Sequence, residues 1–385
     1  MLGHTEESRP LEAVTIQGTD EGASQVVVVL GGHPDEDTSW AGFRLLQYLA
    51  TTTGGLAAHT VHVFLDSDPD GAALNAERGA ESLRRYYEPM NRGGYHRPAV
   101  AEQPAMHLPL TAREDIPAGA DMKATLALKQ FLDDVLDGDG QPPILFDLHR
   151  CGIGKMYAIT TEAQPPLERH FALAAAQAGL PLARESWALG DHLVSEWAPG
   201  VWKPAPAEVC TGDARMGNPQ LYAKHRCPRA RTVIVEVPQF TASGPLPLSG
   251  PHMARQLRNV DAALRLCART LDDLTLTPHG RAYLSREHML QHLASEEDRR
   301  EWASGPFPLQ TMLRQTSELT SHALCTRNLP SRNMSPEWTL HGRVVRFAQA
   351  VTGARPVAPA AAAHAVLATI AVALRGEQGL REVSR

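Results

Sequence analysis

Four β-branched residues, Val26 to Val29, run through Leu30 into two glycines. An apolar run without alternation marks a strand buried on both faces, as in a parallel sheet covered by helices. "HTVHVFLD", "PPILFDLHR" and "RTVIVEVPQF" read the same way. Between these runs the apolar period is helical. "TSWAGFRLLQYLA" places Trp40, Phe43, Leu46 and Leu49 on one expected face, with Thr38 or Ser39 as cap. "ATLALKQFLDDVLD" is a second helix, and "PLERHFALAAAQAGL" a third that ends at a glycine. In "MARQLRNVDAALRLCARTL", Met253, Leu257, Val260, Leu264 and Cys267 keep helical spacing. Strands alternating with helices predict an α/β fold: a mostly parallel central sheet flanked by helices. Beyond about residue 273 the strand signals stop, and "LSREHMLQHLASEEDRREWA" and "AAAAHAVLATIAVAL" read as helices. The expected organisation is a catalytic domain over 1–272 and a helical C-terminal extension over 273–385.

Composition narrows the function classes. A chain of 385 residues with 43% hydrophobic content can build a large core. A formal charge of −6, without a basic run, argues against nucleic acid or an anionic membrane as partner. The alanine-rich segment, which contains His364, is short for a membrane span and reads as a packed helix. "MLGHTEESRPLEAV" lacks the basic-then-apolar layout of a signal peptide. Five scattered cysteines (Cys151, Cys210, Cys227, Cys267, Cys325) with no CxxC pair suit reduced thiols in a cytoplasmic protein. No nucleophile elbow or phosphate loop directs the reading to serine hydrolase or nucleotide chemistry.

Three strands end in one kind of polar residue: the first at His33 and Glu36, the third at Asp147 and His149, the fourth at Glu236. Glycines turn the backbone sharply after the first strand, so residues three apart project to one side and His33 and Glu36 can meet one ion. Two imidazoles and a carboxylate hold zinc and leave a position open for water. The ion lowers the water's pKa, and a further carboxylate takes its proton. Read more plainly, His33 and Glu36 only cap the helix near Ser39. The acids and imidazoles at the other strand ends favour the metal. Cys151, two residues past His149, reads as a small core filler, and Asp191–His192 as a surface turn.

"GGHPDE", "RRYYEPMNRGG", "FDLHR" and "VIVEVPQF" come in that order. The order resembles the zinc carboxypeptidase superfamily, including its aspartoacylase and succinylglutamate desuccinylase branch, over roughly residues 24 to 270. The resemblance implies zinc on His33, Glu36 and His149, and Glu236 as general base. It implies that Asn91 and Arg92 grip the substrate's free carboxylate. It also implies that Arg84 or Arg85 polarises the scissile carbonyl. A guanidinium fork suits a carboxylate, and a second arginine near zinc would stabilise charge arising in the transition state. "DSDPDG" resembles the Asn-Pro-Asp-Gly turn of the carboxypeptidase branch, with Asp68 in first place. Tyr157 and Tyr222 are both candidates for the family's tyrosine.

The implied activity is hydrolysis of an amide bond beside a free carboxylate, in a peptide or an N-acyl amino acid. Two alternatives stand. "HPDE" also resembles the zinc-dependent sugar N-deacetylases, where Asp35 would be the base; their later His-x-Asp-His is missing, and "EHMLQH" is the nearest cluster. A metal-free module that only grips a carboxylate is the other.

Overall fold

The Val26–Val29 run forms the inner strand that its pattern predicts: all four residues are 0% exposed. In this computed structural model the described residues are 1–51, 58–76, 81–89, 97–98, 102–110, 121–137, 142–183, 193–204, 215–241, 269, 307–327 and 335–383. The main strands are β1 (Ala13–Ile16), β2 (Ser24–Val29), β3 (His59–Phe64), β4 (Ile144–His149), β5 (Ile153–Gly154), β6 (Tyr157–Thr160), β7 (Leu193–Ala198), β8 (Val201–Pro204), β9 (Arg231–Glu236), β10 (Phe240–Thr241) and β11 (Arg355–Pro356). The helices used below are α1 (Ser39–Thr51), α2 (Pro69–Asn75), α3 (Leu83–Tyr86), α4 (Lys123–Leu136), α5 (Pro165–Gln177), α6 (Pro219–Arg226), α7 (Phe307–Arg327), α8 (Pro336–Thr352), α9 (Pro359–Arg375) and α10 (Glu377–Val383).

The eight-stranded sheet runs β7-β8-β6-β9-β4-β2-β3-β1. Its centre, β9-β4-β2-β3, is parallel, and antiparallel pairs close both edges. This is the α/β class expected from the continuous apolar runs. Parallel register brings the carboxyl ends of β2, β4 and β9 to one edge, where ligands collect in such folds. Val29 lies opposite Asp147, and His149 opposite Glu236.

Two layers cover the sheet. On one face α1, α5 and α9 share a core with Val26, Val28, Phe146 and Val235. On the other, α4 and α6 pack over Val27, Val29 and Leu145. The inner face of α1 differs from expectation. Ala41, Leu45 and Leu49 are buried, whereas Phe43 is 67% exposed. Gly42 sets this face, because a Cβ there would stand 2.1 Å from Leu30 Cδ1.

The division near residue 272 does not separate two cores. Val357, Ala362, Val366, Ile370, Val372 and Leu380 belong to the same cluster as the strands. Burial of Val366, Ile370 and Val372 stabilises by about 1.5–3 kcal/mol each. A strand also occurs where none was expected: β11 pairs with β10, which pairs with β5. The helix expected around Met253 to Cys267, the "EHMLQH" cluster and Asp191–His192 lie outside the described residues. Among the described residues no helix is long and apolar enough to cross a membrane.

After β3 the chain turns into α2 on acids. Asp68 caps α2, its carboxylate accepting from Gly71 N at 2.9 Å. Burial pushes its carboxyl up to about 7, and burial likewise pushes Asp66 up to about 6. An acid whose folded pKa is raised holds its proton more tightly when folded. Stability from this source is therefore full below about pH 4 and declines as pH rises to about 7. Asp68→Asn keeps the cap and removes the charge. It should gain roughly 2 to 4 kcal/mol over wild type at pH 8 on the scale of 1.36 kcal/mol per pKa unit, and little at pH 4. Urea unfolding at both pH values checks this; equal effects at both would sink it.

Candidate active site

Gly31 has φ +72°, a left-handed conformation that favours glycine. Its N–H donates to Thr38 Oγ1 at 2.9 Å, and Ser67 Oγ donates to its carbonyl at 2.7 Å. Thr38 thus braces the turn, while Asp37 Oδ1 accepts from Ser39 N at 3.2 Å at the start of α1. His33 and Glu36 are left for the site. Gly32 has a different reason to be glycine: a Cβ there would stand 2.6 Å from His149 Cε1 and 3.0 Å from Nε2.

His33, Glu36 and His149 converge, each offering a ligand atom within 4.8 Å of the others. The two imidazole centroids are 4.9 Å apart. Glu36 Oε2 is 3.1 Å from His149 Nδ1 and also accepts from Arg150 N at 3.0 Å. Two ligands on one ion at tetrahedral angle, with bonds of about 2.1 Å, would stand about 3.4 Å apart. The outer contacts suit ligation as well. His33 Nδ1 meets Gln103 Oε1 at 2.5 Å, which directs Nε2 inward when Nδ1 carries the proton. His149 Nε2 stands 3.2 Å from Asp147 Oδ1. Asp147 is fully buried, and among the described residues neither of its oxygens has a hydrogen-bond partner. A histidine made more acidic at that nitrogen by a bound cation would satisfy it. The donor set fits a divalent ion of the zinc type.

The electrostatics of the three ligands differ. Burial and the neighbouring Arg97 guanidinium hold His33 down to about 3, so it is neutral, the ligating form. Burial would raise Glu36, but the His149 hydrogen bond and the Arg97 guanidinium outweigh it and keep the carboxylate charged. Burial lowers His149, yet Asp147 and Glu36 outweigh it and raise it well above the ordinary value.

Glu236 ends β9 beside His149 and opposite Tyr157. Its Oε2 is buried and has no hydrogen-bond partner among the described residues. Burial, reinforced by the charge of Glu36, pushes its carboxyl up to about 8. A bound cation would draw it back down. Of the two candidate tyrosines, Tyr157 lies here. Tyr222 is remote, donating to Asp133 at 2.6 Å. Cys151 is near Glu36 and Glu236 electrostatically, and burial raises its thiol well above the ordinary range, so it is not a thiolate.

Arg84 and Arg85 are exposed on α3, and Arg85 pairs with Glu88 at 2.7 Å. Leu83 and Tyr86 turn into the core, which directs the intervening arginines outward. Arg97 stands beside the cluster. Its Nη1 is 2.9 Å from both Asp35 Oδ1 and Glu36 Oε1. Arg314 on α7 stands 3.7 Å from Asp35 Oδ2. Arg150, next to His149, is buried over the Trp40 ring at 5.0 Å. Tyr86 donates to the Asp35 carbonyl at 3.0 Å, and Gln239 Nε2 bonds the Tyr86 hydroxyl. Asn91 and Arg92 lie outside the described residues. Beside the cluster, a cavity of about 260 Å³ is lined by His33, Glu36, Asp37, Asp66 and Asn75 among others.

No family model matches the chain, and no curated protein matches it. Among solved structures it is similar to a candidate metallopeptidase from Shewanella amazonensis, with 15% identity over 62% of this chain and 76% of that one, TM-score 0.39. It is also similar to a metallo-carboxypeptidase from Pseudomonas aeruginosa, with 15% identity over 61% and 54%, TM-score 0.37. A third is the succinylglutamate desuccinylase from Chromobacterium violaceum, with 14% identity over 58% and 56%, TM-score 0.29. Likenesses this distant carry no chemistry across, so function rests on the residues of the site.

Proposed function

We propose that the chain is a zinc-dependent hydrolase of amide bonds next to a free carboxylate, of carboxypeptidase or N-acyl amino acid deacylase type. The observation that carries this reading is the convergence of His33, Glu36 and His149 from two neighbouring strand ends, with Glu236 on the next strand. His33, Glu36 and His149 would hold the ion. When bound, the ion supplies a Lewis acid for the carbonyl and a water of lowered pKa. Glu236 accepts the water's proton and returns it to the leaving amine. Arg97 takes the role first given to Arg84 or Arg85 and steadies negative charge on the carbonyl oxygen. Asn91 and Arg92 hold the substrate's carboxylate. Asp35 is engaged by two guanidiniums, which favours Glu236 over it as the base and disfavours the sugar-deacetylase reading.

The test is a panel of peptides and N-acyl amino acids, each also in amidated form, given to zinc-loaded protein while released amine is followed. Release from free but not blocked substrates is expected. Acetate release from acetylated amino sugars, with no amine from the panel, would transfer the assignment to the deacetylases. Purified protein without zinc above trace would favour the metal-free binding module.

A further inference from the structure

Three residues past Glu236, the buried Gln239 meets each chain segment that carries a metal ligand or the base. Its backbone N–H donates to the Cys151 carbonyl at 2.7 Å, two residues past His149, and is shared with the Gly152 carbonyl at 3.1 Å. Its own carbonyl accepts from Val357 N at 2.8 Å, between β11 and α9. On either side, Val237 N donates to the His149 carbonyl at 3.1 Å and Phe240 N to the Gly152 carbonyl at 2.9 Å. The Gln239 side chain therefore leaves from a backbone pinned on both sides.

That side chain crosses to the His33–Glu36 turn. Gln239 Nε2 donates to the Asp35 carbonyl at 3.3 Å and to the Tyr86 hydroxyl oxygen, and the hydroxyl donates to the same carbonyl at 3.0 Å. A carbonyl only accepts, so the amide must present its nitrogen here and not its oxygen. The Asp35 carbonyl belongs to the peptide that joins Asp35 to Glu36, and Glu36 N closes the turn on the His33 carbonyl at 3.0 Å. Two donors on one carbonyl fix the plane of that peptide. The plane sets the direction in which the Glu36 side chain leaves the backbone. Glu36 Oε2 then accepts from Arg150 N at 3.0 Å. A ring of bonds thus runs from Glu36 through Asp35 and Gln239 to Cys151, and back through Arg150 to Glu36.

We propose that Gln239 is a positioning residue for the metal: together with Tyr86 it holds the Asp35–Glu36 peptide and so aims Glu36 at the ion shared with His33 and His149. It ties the strand that carries the base to the turn that carries two ligands. The proposal rests on the ligand set of the hydrolase reading, but zinc affinity is measured without turnover.

The experiment is chelator competition for zinc, alongside thermal unfolding of the metal-free protein, on wild type, Gln239→Glu, Gln239→Met, Tyr86→Phe and the double variant Tyr86→Phe/Gln239→Met. Gln239→Glu keeps the shape but sets an acceptor against the carbonyl. Gln239→Met keeps the length and loses both donors. Both should bind zinc about tenfold or more weakly, the scale seen when the support of a ligand is lost. Tyr86 and Gln239 act on one carbonyl, so the double variant should be weaker than the poorer single variant by no more than about threefold. On a hydrolysed substrate at saturating zinc, Gln239→Met should lower kcat about tenfold with KM within about threefold, a split that lost stability alone does not produce. If Gln239→Glu fails to fold, Gln239→Met and Tyr86→Phe decide. Zinc affinity equal to wild type in the folded Gln239 variants, or losses that simply add in the double variant, overturns the proposal. Weakened zinc binding by the variants of a protein that releases no amine from any substrate would keep the proposal and remove the hydrolase reading. Wild type that takes up no zinc overturns both.

Discussion

Glu236→Gln is expected to lower turnover by roughly 10² to 10⁴, the usual scale of general-base catalysis, with zinc content unchanged. Glutamine keeps the shape and the hydrogen-bonding oxygen but cannot accept a proton. The residue ends a strand whose neighbours on both sides belong to the site, His149 and Tyr157. Its buried, unpartnered oxygen has an environment poor in competing donors among the described residues. Neutralising it also removes a repulsion with Glu36, so the variant should be at least as stable as wild type. Steady-state rates and metal analysis on the same preparation check both parts. A variant with full activity would displace Glu236 from the reaction and return Asp35 to consideration.

Gly32→Ala is expected to cost at least 10- to 100-fold in zinc affinity, the range seen when the support of a metal ligand is lost. The added methyl would have to occupy the space of the His149 ring, 2.6 Å from Cε1. The ring is buried, with Glu36 on one side and Asp147 on the other. It can yield only by giving up those contacts, and with them its aim. Competition against a chromogenic chelator measures the affinity, and circular dichroism tests whether the sheet persists. Zinc affinity equal to wild type in a folded Gly32→Ala would mean that His149 does not hold the ion.

The parts of this molecule legible in the sequence are those fixed locally. Val26–Val29 announces a buried strand because every residue of it is apolar, and a strand that must end at the sheet edge then delivers His33 and Glu36. The same holds for Asp147, His149 and Glu236. Arginines are different. A long, flexible cation takes its place from packing far away in the chain. "RRYYEPMNR" looked like the site's cation source; of its described residues Tyr86 and Tyr87 are buried, while Arg84 and Arg85 are exposed. Arg97 and Arg314 carried no signal, because neither stands in a patterned strand end. The α1 face was misread for a related reason. Phe43 has more apolar surface than Ala41, but Gly42 and Leu30 require close contact, and small residues win there. The alanine-rich segment was read as a helix and forms α9, whereas "LSREHMLQHLASEEDRREWA" lies outside the described residues. The partner of α9 could not be read, since an alanine-rich helix apolar almost all round fits any sheet face.

That partner has a consequence for how the protein comes into being. The strand at 24–29 and the helix at 359–375 occupy one core, separated by more than three hundred residues of chain. Contacts so distant in sequence slow folding, because the entropy of closing the loop is lost before any contact compensates it. On the ribosome, α1 and α5 can cover part of that face of the central sheet, but the rest of its lid is missing until residues 359–375 emerge. Until then its valines are available to other nascent chains, and the polypeptide is a natural client for chaperones that shield exposed apolar surface.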